Sequence, residues 1–238
     1  MYTQEELKKI VFFDIETASG FNNLDELCSN NPKLGEIWSK RCEYLRTRFE
    51  ENRDKPDEQL YLEKSALHPE FNRIVCISFG RIAFEGNFPS MIIKSYCSSN
   101  EEEVLEGIVK VFSGFNGYKF SGHNIKRFDV PVICKRLLIN GILLPDGLKI
   151  HNLKPWEMPF IDTSDIWSFG AWQEGFTSLD LLATSLGIDS PKDDIEGEEV
   201  SQVFWETGDL NRISKYCEKD VKTIAQVLLK MSGLPELD

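Results

Sequence analysis

The stretch Val11-Phe12-Phe13-Asp14-Ile15-Glu16-Thr17 predicts a buried β-strand that carries two acids. Side chains alternate between the two faces of a strand, so Asp14 and Glu16 share one face. The apolar residues that alternate with them share the other. Two close carboxylates repel each other, and burying a charge without a partner is costly. Because divalent cations with oxygen ligands usually relieve this cost, the strand predicts a metal site completed by acids from elsewhere.

Two further acids stand where they complete such a site. Asp129 follows a predicted strand and a polar corner, just before Pro131, which favours the first turn of a helix. Asp220 lies four residues after Tyr216 on the last predicted helix, and residues at this spacing share one face. Plainer interpretations remain open for each residue alone: a helix cap for Asp129, a solvated acid for Asp220 and a core tyrosine for Tyr216. An isolated Asp-x-Glu pair likewise often marks only a strand end.

The composition is that of a globular protein of 238 residues, and we expect one α/β domain over residues 1–238. The net charge is −12, from 27 basic and 39 acidic residues. This balance argues against extended, non-specific binding to duplex DNA, which needs a basic face. It is compatible with an enzyme whose acids hold metal and which makes short contacts with a strand end or works with a protein partner.

The chain also carries signals about its compartment. No apolar run approaches the length of a membrane span, and the acidic N-terminus lacks the apolar core of a signal peptide. None of the cysteines forms a C-x-x-C pair, which argues against a zinc knuckle. We therefore expect a cytoplasmic protein with no membrane association and with reduced thiols in mostly apolar surroundings. The six cysteines are Cys28, Cys42, Cys76, Cys97, Cys134 and Cys217.

The hydrophobic pattern predicts a mixed sheet with helices and a helical insertion between the first two strands, at about residues 22–68. The insertion carries the densest basic cluster of the chain. This cluster is either a solvated helix face balanced by nearby glutamates or a guide for a nucleic-acid strand; it comprises Lys40, Arg41, Arg46 and Arg48.

The remaining elements follow in order. The predicted strands cover residues 10–16, 73–83, 91–96, 118–122 and 160–166, a mobile polar loop covers 190–199, and the last helix covers 210–231.

Three short motifs occur in order on a predicted strand, a helix start and a helix. They are Asp14-Ile15-Glu16, the segment from Asn124 to Asp129, and the segment from Tyr216 to Asp220. Together they resemble the motifs of the DEDD 3′–5′ exonuclease superfamily. The tyrosine resembles the DEDDy branch, because the histidine branch would have histidine where this chain has Lys215. Nearly the whole chain is similar to a bacterial family of predicted exonucleases related to the proofreading domain of family B DNA polymerases.

The resemblance implies an RNase H-like fold, a mixed central sheet flanked by α-helices, and a metal-dependent mechanism. Asp14, Glu16 and Asp220 would hold one divalent ion, and Asp14 would bridge to a second ion that Asp129 contacts through water. Mg²⁺ or Mn²⁺ suits such ligands, and two ions clamp the attacking and leaving oxygens. Tyr216 would orient the attacking water, since an ordinary phenol is a poor base at neutral pH. The products would be nucleoside 5′-monophosphates.

The resemblance also implies a substrate, the 3′ end of a single-stranded nucleic acid. DNA is favoured over RNA by family analogy alone. The backbone of Thr17 and Ala18 would meet the terminal nucleotide, Asn124 the penultimate sugar-phosphate region, and Phe128 the base pocket. Two interpretations of Phe21 are equally open: a wedge on which a base stacks, or a residue of the core.

Two rival functions stay open on the same fold. One is a catalytically inactive module that binds nucleic acid or a polymerase, and the other is an RNA-directed exoribonuclease. Only 18 residues follow Asp220, so we expect no attached polymerase module and either a free-standing nuclease or a subunit beside a partner.

Overall fold

The strand that carries Asp14 and Glu16 lies at the centre of the sheet. The computed structural model describes residues 1–154, 157–171, 177–189 and 194–237. The strands of these residues are β1 (Ile10–Ser19), β2 (Asn72–Glu85), β3 (Phe88–Cys97), β4 (Lys119–Gly122) and β5 (Phe160–Asp162). Their order across the sheet is β3-β2-β1-β4-β5, with antiparallel pairing of β1 with β2 and of β2 with β3. β4 pairs in parallel with both β1 and β5, so the prediction of a mixed sheet is confirmed.

Helices cover both faces of the sheet, and three of them form the predicted insertion between β1 and β2. Those three are α2 (Leu24–Asn30), α3 (Pro32–Arg48) and α4 (Asp57–Lys64). The others are α1 (Gln4–Leu7), α5 (Glu101–Gly114), α6 (Asp129–Ile139), α7 (Thr163–Ser168), α8 (Leu179–Ser185), α9 (Val200–Gln202) and α10 (Leu210–Met231), with a π-helical turn at Val203–Thr207.

The two faces of β1 pack against different helices, as the alternation of its sequence predicts. Phe13 and Ile15 lie in one apolar cluster with residues of α5 and α6. Phe12 lies in a second cluster with residues of α10. Asp14 and Glu16 continue the Phe12 face, so they point toward α10.

The helical insertion packs against the end of β1. Thr17 Oγ1 donates a hydrogen bond to the carbonyl oxygen of Ala66 at 2.9 Å, and the amide of Phe21 donates to Tyr61 Oη at 3.1 Å. The Phe21 side chain is partly buried against the insertion's own apolar cluster, which includes Trp38. These contacts favour the core interpretation of Phe21 over the wedge.

Part of the basic cluster is engaged within the insertion. Arg46 forms an ion pair with Asp57 of α4, and Arg41 Nη2 lies 3.2 Å from His68 Nδ1. These contacts join α3 to α4 and to the end of the insertion, and the charges of both Asp57 and Glu43 act on Arg46. A guiding role for the cluster stays a prediction.

The chain departs from the predicted boundaries near the fifth strand. β5 ends at Asp162, and the residues predicted to extend it form α7, because Asp162 accepts a hydrogen bond from the Ser164 amide and caps that helix. Of the loop predicted at 190–199, residues 190–193 lie outside the described residues, and Gly197–Glu199 forms a 3₁₀ turn.

The expectation that all cysteines are reduced thiols is wrong for one pair. Cys76 and Cys97 form a disulfide with a Cα–Cα distance of 4.2 Å. They are direct partners in the β2–β3 ladder, a pairing that their separation of 21 residues in sequence does not reveal. The other cysteines carry free thiols. Within the described ranges, no helix is both long and apolar enough to cross a membrane.

Candidate active site

The site begins where β4 stops and β1 continues. β4 ends at Gly122, and the last residue of β1 paired with it is Phe12. A side chain at Gly122 would not fit, because its Cβ would lie 2.8 Å from the carbonyl oxygen of Phe13. The chain then turns through Asn124, which has a φ of 60°, into α6. Among the described residues, no strand pairs with the edge of β1 beyond Phe12 on this side.

Asp129 occupies this open edge. Its Oδ1 accepts a hydrogen bond from the amide of Ile15 at 3.3 Å, and only 4% of the residue is exposed. Because Ile15 lies between Asp14 and Glu16, the bond holds the Asp129 carboxylate beside both acids of β1. Asp129 is the first residue of α6, as predicted, but its side chain reaches the central strand and does not cap the helix.

α10 brings the fourth acid to the same place. The helix packs on the face of β1 that carries Asp14 and Glu16. The negative charge of Asp220 raises the pKa of both, and it also raises the pKa of Asp129. Such effects decay with distance, so all four carboxylates belong to one site.

Three of these carboxyl groups, those of Asp14, Glu16 and Asp129, have raised pKa values. Burial raises the pKa of Asp14 well above its usual value, and the charges of Glu16 and Asp220 raise it further. Burial also raises the pKa of Glu16, and raises that of Asp129 to about 7 although two backbone hydrogen bonds oppose the change. A bound cation favours the ionised form of each group. Two buried carboxylates, Glu16 and Asp129, and two half-buried ones, Asp14 and Asp220, therefore suit a hard divalent cation.

The structure adds Cys217 to the site, a residue that sequence reasoning treated only as a reduced thiol. Its Sγ lies 3.3 Å from the carbonyl oxygen of Asp14 and 3.6 Å from Asp14 Oδ2. Ligand atoms of Cys217, Asp14 and Glu16 lie within 4.8 Å of one another. Burial and the nearby acids raise the pKa of the Cys217 thiol, so it stays protonated and donates to Asp14. Its place one turn before Asp220 was the available sequence signal.

Tyr216 lies one turn before Asp220 on α10 and is partly buried. Its ring packs with the cluster that contains Ala18. Burial raises the pKa of the phenol, and the charges of Asp220 and Glu16 raise it further. The hydroxyl lies 3.7 Å from the position that a Cβ on Gly197 would take, so the turn at this glycine lies against it. The phenol therefore remains a neutral hydrogen-bond donor beside the acids.

Asp162, at the end of β5, organises the loop before α6. Its Oδ1 accepts hydrogen bonds from the amides of Asn124 at 2.7 Å and Ser164 at 3.0 Å. Its Oδ2 accepts from the amide of Lys126 at 3.0 Å. Sequence reasoning assigned Asp162 no role, although aspartate followed by threonine and serine at a strand end is a typical helix-cap signal.

His123 strengthens the same loop. Its Nδ1 lies 2.9 Å from Thr163 Oγ1, and its Nε2 lies 2.8 Å from the carbonyl oxygen of Thr177. Burial lowers the pKa of His123, so the neutral ring bridges these two segments.

The residues predicted to contact the substrate differ in how accessible their side chains are. Asn124 Oδ1 is buried and has no hydrogen-bond partner among the described residues. Phe128 is partly buried against the cluster under α6. The Thr17 hydroxyl is engaged by the insertion, and Ala18 is fully buried, so only their backbone is suited to contact a ligand.

Comparison with known proteins places the chain in a family. Residues 64–235 match the family described as a predicted 3′–5′ exonuclease related to the exonuclease domain of PolB. The chain belongs to this family. The matched residues of this family member include Asp129, Tyr216 and Asp220 but not β1, so the roles of Asp14 and Glu16 depend on the geometry described above. Among curated proteins, none matches the chain.

The fold of this family member is similar to a solved structure of the family B DNA polymerase from the hyperthermophilic archaeon Pyrobaculum calidifontis. The TM-score is 0.55 at 14% sequence identity, and the alignment covers 93% of this chain and 24% of the polymerase. The chain thus spans about a quarter of the polymerase's length. The likeness establishes the RNase H-like fold, a mixed sheet flanked by helices, as expected.

Proposed function

We propose that this protein is a metal-dependent 3′–5′ exonuclease that releases nucleoside 5′-monophosphates from single-stranded nucleic acid, with DNA preferred over RNA. One observation carries the proposal. Asp14, Glu16, Asp129 and Asp220 come from a strand and two helices far apart in sequence, yet they meet at one site beside Tyr216. A packed core has no need for such a set, because burying like charges together is costly.

The carboxylates are suited to hold two divalent ions. Asp14, Glu16 and Asp220 would hold the first, Asp14 would bridge to the second, and Asp129 would contact it through water. Mg²⁺ or Mn²⁺ fits these oxygen donors, and the protonated thiol of Cys217 serves Asp14 as a hydrogen-bond donor. When bound, such ions activate a water molecule and stabilise the leaving 3′ oxygen.

The chain's own groups position the reactants. Tyr216, a neutral phenol next to Asp220 and Glu16, would orient the attacking water by a hydrogen bond. Its raised pKa makes it unsuited to act as a base. Asp129 would be fixed for its role by the Ile15 amide.

Asn124 and Phe128 lie in the segment that leads into α6 and Asp129, and we propose that they bind the strand end. By resemblance to the exonuclease family, Asn124 would contact the sugar-phosphate of the penultimate nucleotide, and Phe128 would border the base. Stacking on an aromatic ring is worth about 1–3 kcal/mol per base. Because its net charge is −12, the protein would contact only a short stretch at the 3′ end. It would act in the cytoplasm, alone or beside a protein partner.

A metal titration followed by thermal unfolding separates the enzyme from an inactive binding module. We expect Mn²⁺ to raise the melting temperature of the wild type and to leave Asp14→Ala unchanged. Asp54→Ala, at an exposed acid in the insertion, is the matched control and should respond like the wild type. An equal shift for all three proteins would contradict the metal site.

The substrate class needs a second experiment. Matched single strands of DNA and RNA, each labelled at the 5′ end, should be shortened at different rates, with DNA faster. RNA shortened faster than DNA would make the protein an exoribonuclease while leaving the site assignment intact.

A further inference from the structure

A groove lies on the face of the sheet opposite the acids, between α5 and strands β2 and β3. Its volume is about 630 Å³. The walls are mainly apolar, and they include Phe79, Ala83, Ile92, Tyr96, Val111 and Phe115. None of these residues belongs to the candidate active site.

The groove arises because α5 packs closely on β3 at only one end. A Cβ at Gly107 would lie 2.4 Å from the ring of Tyr96, so helix and strand are in close contact there. Further along α5, Lys110 and Gly114 line one side of the groove, and Ile92 lines the side formed by β3. The helix and the strand thus border an open space where they would otherwise pack together.

The strand side of the groove is an exposed sheet edge. β3 is the edge strand on one side of the sheet, and among the described residues no strand pairs with its outer edge. Ile92 on this strand is 74% exposed, and its neighbour across the ladder is Arg81. A long edge strand with an exposed apolar side chain is a template for pairing with another chain.

Every charged residue that lines the groove is a cation. They are Arg81, Lys94 and Lys110, and none of the described lining residues is acidic. The Arg81 guanidinium is fixed over the rings of Phe115 and Tyr118, at 5.4 and 4.9 Å. In a chain of net charge −12, this local excess of positive charge favours an anionic ligand.

We propose that this groove and the outer edge of β3 bind an extended segment of a partner protein, as a sixth strand. The segment carries a bulky apolar side chain and, two residues away, an acidic one. Residues two apart on a strand share a face, so the apolar side chain would lie beside Ile92 while the acid meets Lys94. Main-chain hydrogen bonds would supply affinity, and the groove and its cations would supply specificity.

A phage library of random peptides, panned against the full chain, tests this proposal. Counter-selection uses the Lys94→Glu/Lys110→Glu double variant, whose substitutions are both on exposed side chains. We expect enrichment of an apolar and an acidic residue two positions apart, in the order apolar-x-acidic for a parallel strand or acidic-x-apolar for an antiparallel one. Fluorescence anisotropy of a synthetic enriched peptide should show binding at least about tenfold weaker to the double variant and to Ile92→Ser. Phe88→Ser, at an exposed residue of the same strand outside the groove, is the matched control and should bind like the wild type.

Hydrogen exchange adds a readout specific to strand pairing. The bound peptide should protect backbone amides of β3, which docking of a side chain alone would not do. The proposal is overturned if no peptide is enriched, or if enriched peptides bind the double variant as tightly as the wild type. Dodecanoate, a fatty-acid anion, tests whether the groove binds a lipid instead, and the proposal is overturned if dodecanoate binds but no peptide does. It is also overturned if this chain dimerises through Ile92 and binds no peptide.

Discussion

The amide of Ile15 donates a hydrogen bond to the carboxylate of Asp129, and this bond joins the first turn of α6 to the middle of the central strand. It exists because β4 stops at Gly122 and leaves that amide without a strand partner. The same interruption that opens the sheet thus places Asp129 between Asp14 and Glu16. The candidate site is a consequence of the sheet topology.

The stability of the metal-free protein should depend on pH through Asp129. The pKa of this group is about 7 in the folded protein, against a usual value of 3.8. Its contribution to stability is therefore complete below about pH 4 and is lost as the pH rises through about 7, by at most roughly 1.4 kcal/mol per pH unit. Urea unfolding in EDTA should show a steeper loss over this range for the wild type than for Asp129→Asn. Parallel curves for the two proteins would refute the raised pKa.

Tyr216→Phe should slow cleavage while leaving binding of a single strand intact. The change removes only the hydroxyl that orients the attacking water, and the ring still packs beside Ala18. We expect the single-turnover rate to fall roughly 10- to 100-fold, with an unchanged Kd for a labelled strand in Ca²⁺. Tyr44→Phe, at an exposed tyrosine of α3, is the control and should cleave normally. Loss of strand binding in Tyr216→Phe would instead assign the hydroxyl to the substrate site.

Asp162→Ala should destabilise the fold. The substitution leaves three backbone amides without their acceptor, those of Asn124, Lys126 and Ser164. We expect a loss of about 3 kcal/mol in the free energy of unfolding, measured in urea. Asp165→Ala is the matched control, because Asp165 makes only partly exposed ion pairs and should cost at most about 1 kcal/mol. Equal losses would show that the Asp162 hydrogen bonds do not stabilise the loop.

Cys217→Ala should weaken metal binding, and Cys217→Ser should largely preserve it. Serine keeps a donor near Asp14 Oδ2, whereas alanine removes it. Isothermal titration with Mn²⁺ should show about tenfold weaker binding for the alanine variant. Cys42→Ala removes a buried thiol of the insertion and should leave metal affinity unchanged. If both Cys217 variants bind Mn²⁺ like the wild type, the thiol has no positioning role.

Local patterns were sufficient to predict the elements that carry the acids. Alternation along β1 placed Asp14 and Glu16 on one face of the strand. The four-residue spacing on α10 placed Tyr216 and Asp220 on one face of the helix. These predictions succeed because periodicity is a property of each element by itself. The helical insertion was also recognisable, since its charge-rich pattern differs from that of the flanking strands.

Contacts between distant segments could not be predicted in the same way. The Cys76–Cys97 disulfide depends on the register of β2 with β3. The bonds of Asp162 to the loop at Asn124 depend on where β4 and β5 end, and the contact of Cys217 with Asp14 depends on how α10 crosses the sheet. Register, strand ends and crossing geometry are set by the whole fold, so no local pattern reveals them.

The proposed exonuclease activity is tested most directly by a digestion time course in Mn²⁺ with single-stranded DNA labelled at its 5′ end. We expect a ladder that shortens by one nucleotide at a time, with no shortening in EDTA or with Asp14→Ala. Cleavage by folded Asp14→Ala at the wild-type rate would contradict it. So would intact DNA after incubation with folded wild-type protein that has bound Mn²⁺.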